Sequence, residues 1–244
     1  MEKNTEALGE TMERIDKILA TLNFGSRKQV HKLLKSKCVT VNGEICTDSA
    51  TKIDIQQDVI AVEGKEITLK KNIYIMMNKP QGVLSASRDK NAKTVLDLLP
   101  DELKRKGLFP AGRLDKDTEG LMIITDDGDF AHKMLSPNKK VYKKYFAKLD
   151  KPANEETVKA FKTGVTFMDG TVCQPAELEI LENNQIFVSI CEGKFHQVKK
   201  MFLACGLEVQ YLKRVSIGQL QLDQNLQLGD CRELLDSEKQ LIFL

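Results

Sequence analysis

The segment Pro110-Ala111-Gly112-Arg113-Leu114-Asp115-Lys116-Asp117-Thr118-Glu119-Gly120 runs directly into Leu121-Met122-Ile123-Ile124-Thr125 and then Asp126-Asp127-Gly128. The apolar run reads as a buried strand, and the Asp-Asp-Gly triplet as the turn that ends it. A polar loop carrying Arg113, Asp115, Asp117 and Glu119 therefore leads into a core strand. Taken alone, Asp115 is an ordinary loop aspartate of the kind that caps a turn. Upstream, Ile73–Met77 reads as a second buried strand, turned by Asn78-Lys79-Pro80-Gln81-Gly82, and Thr94–Leu99 as a short capped helix stopped by Pro100. Downstream, Val141–Phe146 alternates as a strand. A helix is expected from Phe195, with Val198, Met201, Phe202 and Cys205 at core spacing and Gly206 as its stop.

Further out, the first sixty residues have a different character. Ile15, Ile18, Leu19 and Leu22 fall on one helical face, and Asn23-Phe24-Gly25 breaks the pattern. Ser26 with Gln29 forms a capping box that starts a second helix, whose apolar face is Val30, Leu33 and Leu34. Val39-Thr40-Val41, Asn42-Gly43 and Glu44-Ile45-Cys46 read as a hairpin, because Asn-Gly accepts the positive φ its turn requires. Between Arg14 and Lys37 seven basic residues face a single acid, Asp16, although the whole chain carries only +2. A one-sided basic block on a nearly neutral protein points to a polyanion partner, with Arg14, Lys17, Arg27, Lys28 and Lys32 as candidate RNA contacts.

Composition narrows the remaining classes. The chain of 244 residues is 41% hydrophobic, enough for two cores, and its longest apolar stretch is far short of the ~20 residues a membrane helix needs. Met1–Met12 is polar and acidic, so a flexible leader over residues 1–13 is expected there, with no export signal. Cys38, Cys46, Cys173, Cys191, Cys205 and Cys231 form no CxxC pair, so reduced thiols in a cytoplasmic protein are expected and a metal site is not. There is no GxG pair for a dinucleotide or phosphate loop.

The motifs together resemble known families. Arg14-Ile15-Asp16-Lys17, Ser26-Arg27 and Val39-Thr40-Val41-Asn42-Gly43 resemble the RNA-binding module named after a small-subunit ribosomal protein, with Lys37 where a glycine is usual. Gly112-Arg113-Leu114-Asp115 with Thr118, Gly120, Leu121, Thr125, Asp127 and Gly128 resembles the signature of RsuA-type pseudouridine synthases. Lys79-Pro80-x-Gly82 and Gly193-Lys194-Phe195-His196-Gln197-Val198-Lys199-Lys200-Met201 fit the same family. The fold expected is α+β. A small α/β RNA-binding module over 14–70 should precede a catalytic domain over 71–244, built on a mixed or antiparallel sheet with outer helices.

The resemblance implies isomerisation of uridine to pseudouridine in ribosomal RNA, which breaks the C1′–N1 bond, rotates the base and forms a C1′–C5 bond. Nothing is oxidised and no group enters, so no cofactor is expected. Asp115 is the implied essential carboxylate; attack on the sugar, attack on the base and removal of a ribose proton all remain open to it. A buried carboxylate needs a cation, and Lys199 fits, its stem screened by Phe195 and Phe202. Tyr145 matches the family's uracil-packing tyrosine, with Tyr142 as the alternative register. Arg113 is the implied residue that fills the stack when the uridine flips out. His132 and His196 are read as structural or RNA-facing, and Lys133, Lys139, Lys140, Lys143, Lys144, Lys148, Lys194, Lys199, Lys200, Lys213 and Arg214 as a long RNA track.

The motif details point toward small-subunit ribosomal RNA, in a partly assembled subunit bound by a monomer, with large-subunit RNA as the alternative. Two other classes compete. A glycoside-cleaving enzyme would need a second carboxylate, such as Asp117 or Glu119. A silent RNA-binding assembly protein would not need Asp115.

Overall fold

The computed structural model describes residues 12–67 and 69–244. The chain divides into two compact units, Met1–Ile73 with Asp101–Leu108, and Tyr74–Pro100 with Phe109–Leu244. The first 11 residues of the expected leader lie outside the described residues, but Met12 and Glu13 correct it: with Arg14 they form strand β1 (Met12–Arg14). Their backbone groups are satisfied by antiparallel pairing with β4 (Lys52–Asp54), which fixes this stretch.

In the first unit, helices α1 (Ile15–Thr21) and α2 (Arg27–Lys35) precede β2 (Val39–Val41), β3 (Glu44–Ile45), β4, β5 (Ile60–Val62) and β6 (Lys65–Ile67). Four of the strands form an antiparallel sheet in the order β3-β2-β5-β6. Ile15, Ile18, Leu19, Val30 and Leu34 on the helices pack with Val39, Ile53, Ile60 and Val62 on the strands. The Gln29 side chain accepts from the Ser26 amide at 2.8 Å, which closes the start of α2. Asn42 and Gly43 both take positive φ, as a two-residue hairpin turn demands. Asp101–Leu108, kept within 71–244 by the sequence reading, joins this unit. The Lys106 amide donates to Thr21 O at 2.9 Å, and the Arg105 guanidinium to the Lys70 and Lys71 carbonyls at 3.1 and 3.0 Å.

The second unit contains β7 (Tyr74–Lys79), β8 (Phe109–Pro110), β9 (Glu119–Thr125), α3 (Gly128–Leu135), β10 (Lys143–Leu149), α4 (Glu155–Thr163), β11 (Glu177–Ile180), β12 (Gln185–Ile190), α5 (Gln197–Ala204), β13 (Val209–Ile217), β14 (Leu220–Gln221), β15 (Cys231–Glu233) and α6 (Asp236–Leu241). Its nine-stranded sheet runs β11-β12-β10-β13-β9-β7-β15, with β14 beside β13 and β8 beside β9. The strands pair antiparallel except at the centre, where β9 and β13 run parallel through Glu119↔Lys213 and Gly120↔Arg214. That seam joins two antiparallel halves into one mixed sheet. Gly120 lies on it with φ 103°, and a Cβ there would sit 2.2 Å from the Arg214 carbonyl oxygen. Only glycine lets the two backbones approach this closely.

The short capped helix expected over Thr94–Leu99 is present as a 3-10 helix over Val95–Leu98, with Thr94 as its cap and Leu99 extended before Pro100. One local expectation changes. Helix α5 begins at Gln197, two residues later than expected, because His196 takes a left-handed φ of 52°. The Asp126-Asp127-Gly128 turn is also a helix start. Asp127 caps α3 by accepting from the Phe130 amide at 2.9 Å, and Tyr74 Oη donates to its other carboxylate oxygen at 2.6 Å.

Lys37 ends α2 with φ 61°, the conformation that glycine supplies without strain. Replacing it with glycine removes a steric cost of about 1–2 kcal/mol and adds a smaller unfolded-state entropy cost. Lys37→Gly should therefore stabilise the chain by about 0.5–1 kcal/mol, read from urea unfolding followed by a probe of the first unit. A destabilised variant would show that the lysine side chain makes a compensating contact.

Candidate active site

The eight-residue loop between β8 and β9 is built around one buried cation. Lys79, the last residue of β7, is fully buried, and its ammonium donates to the carbonyls of Thr118 (2.9 Å), Asp115 (3.1 Å), Pro80 (3.1 Å) and Lys116 (3.4 Å). An ammonium has three protons, so the longest of the four contacts is shared. Burial pulls the Lys79 ammonium down to about 8, while the carboxylates of Asp117, Asp115 and Glu119 push back. Two further contacts hold the loop. Ser85 Oγ donates to Leu114 O at 2.7 Å and accepts from Leu114 N at 3.0 Å, and the Gly82 amide donates to Lys116 O at 2.8 Å.

The loop presents the Asp115 side chain, one quarter exposed, to an open pocket of about 400 Å³. Arg113, Tyr145, Lys194, His196 and Leu212 line it as well. Alternation along β10 places Tyr145 on the buried face, where it lines the pocket, whereas Tyr142, which precedes the strand, is exposed and does not line it. Lys199 Nζ lies 3.6 Å from Asp115 Oδ2 but 2.5 Å from Asp117 Oδ1. The hydrogen bond from Lys199 holds the Asp117 carboxyl below its ordinary range. The expected cation is therefore present, but it is shared. The expected screen around it is corrected: Phe195 stands outside α5 and is exposed, so it does not cover the Lys199 stem from a helical position.

Besides the anchoring role of Lys79, two residues were missed by sequence reasoning. His196, read as structural or RNA-facing, places Nε2 at 3.5 Å from Asp115 Oδ1. Its left-handed backbone turns the ring back toward the loop, and no spacing rule reveals that. Glu192 is buried and organises the strand-to-helix connection before α5. It accepts from Gln197 Nε2 at 2.6 Å and from the Gln174 amide at 2.9 Å, and it pairs with Lys194. Burial pushes its carboxyl up, but Lys194 and these donors together hold it below its ordinary range.

The basic residues separate into three groups. Arg27, Lys28 and Lys32 are exposed on α2. Arg14 is engaged with Asp16 (2.8 and 3.0 Å) and Lys17 with Glu13 (2.5 Å). Lys143 and Arg214 do not belong to the expected RNA track, because both are buried on the inner faces of their strands. Burial and the neighbouring Arg214 bring the Lys143 ammonium down to about 8, and Arg214 Nε donates to Leu121 O at 2.7 Å.

If Lys79 holds the loop, Lys79→Met leaves carbonyls buried without a donor. The variant should lose about 2–3 kcal/mol or more of stability in urea unfolding. Amide hydrogen exchange across residues 114–118 should also accelerate beyond what the global loss explains. Unchanged exchange in the loop would remove Lys79 from this role.

Comparisons with known proteins identify the family of the chain. The sequence model of the family described as RNA pseudouridylate synthase matches residues 73–204, and that of the S4 domain matches residues 13–60. The chain is 44% identical to an uncharacterized RNA pseudouridine synthase, YtzG, of Bacillus subtilis (strain 168), over 94% of this chain and 98% of that protein. It is 39% identical to ribosomal small subunit pseudouridine synthase A of Vibrio cholerae serotype O1, over 94% and 99% of the two chains. A crystal structure of a pseudouridylate synthase superposes with a TM-score of 0.66 at 35% identity, covering 94% of this chain and 99% of that one. With an S4 domain ahead of a mixed-sheet domain that carries the Asp115 loop, the chain belongs to the RNA pseudouridylate synthase family.

Proposed function

We propose that the protein converts one uridine of small-subunit ribosomal RNA to pseudouridine in the cytoplasm, with Asp115 as the essential carboxylate. The observation that carries this reading is the Asp115 carboxylate at the pocket wall, with Lys199 and His196 within 3.6 Å and Tyr145 lining the same space. Every route from uridine to pseudouridine open to a carboxylate uses its charged form, and the Lys199 ammonium stands 3.6 Å from it. Tyr145, buried in the pocket wall, offers a flat surface for the uracil ring. Arg113, exposed at the pocket mouth two residues before Asp115, is placed to fill the stack left by a flipped base. No second carboxylate is needed. Asp117, the nearest alternative partner for a glycosidase reading, is tied to Lys199.

For the RNA itself, the exposed Arg27, Lys28 and Lys32 on α2 supply a basic face in the S4 domain, and Arg14 and Lys17 join it by exchanging their acidic partners for phosphate. The name of the Vibrio cholerae relative, ribosomal small subunit pseudouridine synthase A, supports the small subunit as the target. A partly assembled particle, bound by a monomer, is the proposed substrate, since shape rather than sequence is what such a basic face reads.

The deciding experiment maps pseudouridine in ribosomal RNA from cells with and without the gene, and after incubation of the purified protein with small-subunit, large-subunit and transfer RNA. One small-subunit position should depend on the protein. Asp115→Asn, which keeps the size of the side chain, should abolish its formation while RNA affinity stays within a few-fold. Turnover of a few per cent by this variant would remove Asp115 from the reading, and a large-subunit product would move the target but leave the chemistry.

Lys199 gives an independent test. Because it is shared between two carboxylates, its removal takes the cation from Asp115 and frees Asp117 beside it. Lys199→Met should lower the single-turnover rate on the order of 10²-fold, the usual cost of losing one charged contact to a reacting site. Lys199→Arg should recover a large part of it. A near-wild-type rate in Lys199→Met would return Lys199 to an ordinary surface role.

A further inference from the structure

Beside the pocket stands an aromatic surface that the isomerisation itself does not use. Phe195 is 69% exposed, and its ring stacks on His196 with centroids 3.8 Å apart and planes 20° apart. Lys200 Nζ lies 5.3 Å from the Phe195 centroid and 5.4 Å from that of Phe167. Met168, 91% exposed, and Val172 extend the apolar surface on the turn bridged by Thr166 and Val172. Exposing a phenylalanine and two aliphatic side chains beside one cation has a cost in water and no return in the core.

The backbone beneath this surface is also strained. His196 is a non-glycine residue at φ 52° and its side chain makes no capping hydrogen bond to α5. Strain of this kind persists where the surrounding structure imposes it, and it clusters at binding sites. Here it is imposed by the Glu192–Gln197–Lys194 contacts on either side. Its result is an imidazole with one edge on the Asp115 carboxylate, at 3.5 Å, and one face on the Phe195 ring.

We propose that Phe195, stacked on His196, is a docking platform for the nucleobase next to the target uridine, with Lys200 taking the phosphate between them. The inference rests on the reading that a uridine enters the Asp115 pocket. A flipped nucleotide leaves its neighbour unstacked on one face, and an exposed aromatic ring replaces that lost partner for any base. The platform lies one imidazole away from the reacting carboxylate, which suits the adjacent nucleotide. Lys200, which lies over the Phe195 ring, gives up that position when a base stacks there, and its flexible stem then lets the ammonium reach the adjoining phosphate. The platform is sequence-tolerant, since every base has a π face, and so it contributes affinity and register rather than base identity.

The chain contains no tryptophan, so Phe195→Trp introduces a single emission reporter at the platform. In an Asp115→Asn background, which removes turnover, small-subunit, large-subunit and transfer RNA transcripts are each titrated against its fluorescence, with inorganic polyphosphate as a charge control. Binding of each RNA is followed in parallel by filter retention. A transcript that binds should quench the emission by base stacking, and polyphosphate should not. In the otherwise wild-type enzyme, Phe195→Ala should raise KM about tenfold with a smaller loss in kcat, and Phe195→Tyr should restore it. No quenching by any RNA that is retained, equal quenching by polyphosphate, or an unchanged KM in Phe195→Ala would overturn the platform. Quenching without pseudouridine formation by the wild-type enzyme would instead overturn the catalytic reading and leave the platform standing.

Discussion

The buried ammonium of Lys79 is the interaction on which the site depends. It closes the end of β7 and gathers four carbonyls, three of them from the loop that carries Asp115. A loop of this length, with no secondary structure of its own, has backbone groups that must be satisfied somewhere. Most loops use water. This one uses a cation that the sheet supplies, and the carbonyls it collects cannot move without leaving a charge unpaired in the interior. The Asp115 carboxylate is consequently held by a strand of the core rather than by the loop.

The position of that anchor follows from the sheet. β7 is antiparallel to β9, and the loop returns from β8 to β9 across the end of β7, so the Lys79 side chain meets it. The parallel seam between β9 and β13 then brings a second antiparallel half alongside, with Tyr145 on β10 and Leu212 on β13 facing the loop from across the pocket. Gly120 makes the seam passable. The carboxylate comes from one half of the sheet and the ring surface from the other, which is how a pocket with an apolar wall and a charged wall arises from a single layer.

Charge around Asp115 is arranged by competition. Lys199 is closer to Asp117 than to Asp115, and His196 approaches the opposite oxygen of Asp115. Asp117 is mostly exposed, so its hold on Lys199 is weakened by solvent. The connection before α5 sets this geometry through Glu192, a buried acid that neutralises Lys194 and fixes Gln197. Lys194 is thereby drawn into structure, as Lys143 and Arg214 are by burial, and the surface positive charge is smaller than a count of basic residues suggests.

Much of this was legible in one dimension. The two helices and Asn-Gly hairpin of the first unit follow from capping, turn chemistry and periodicity, which are local rules. Strands β7, β9 and β10 and the nearness of Lys199 to Asp115 were readable because each lies in a motif with a local pattern. The role of Lys79 was not, because a lysine before proline has no local mark of burial; three of its four acceptors lie 36 to 39 residues away. Nor was His196, whose left-handed turn depends on a buried glutamate, nor the membership of Asp101–Leu108 in the first unit, which rests on carbonyls from α1 and from Lys70 and Lys71. The sequence by itself determined which segments bury apolar faces and where the chain turns, because those preferences act over a few residues. Only the tertiary structure decided which charges are buried, shared or free, because electrostatic free energy depends on distance and dielectric, and neither exists until distant segments have packed.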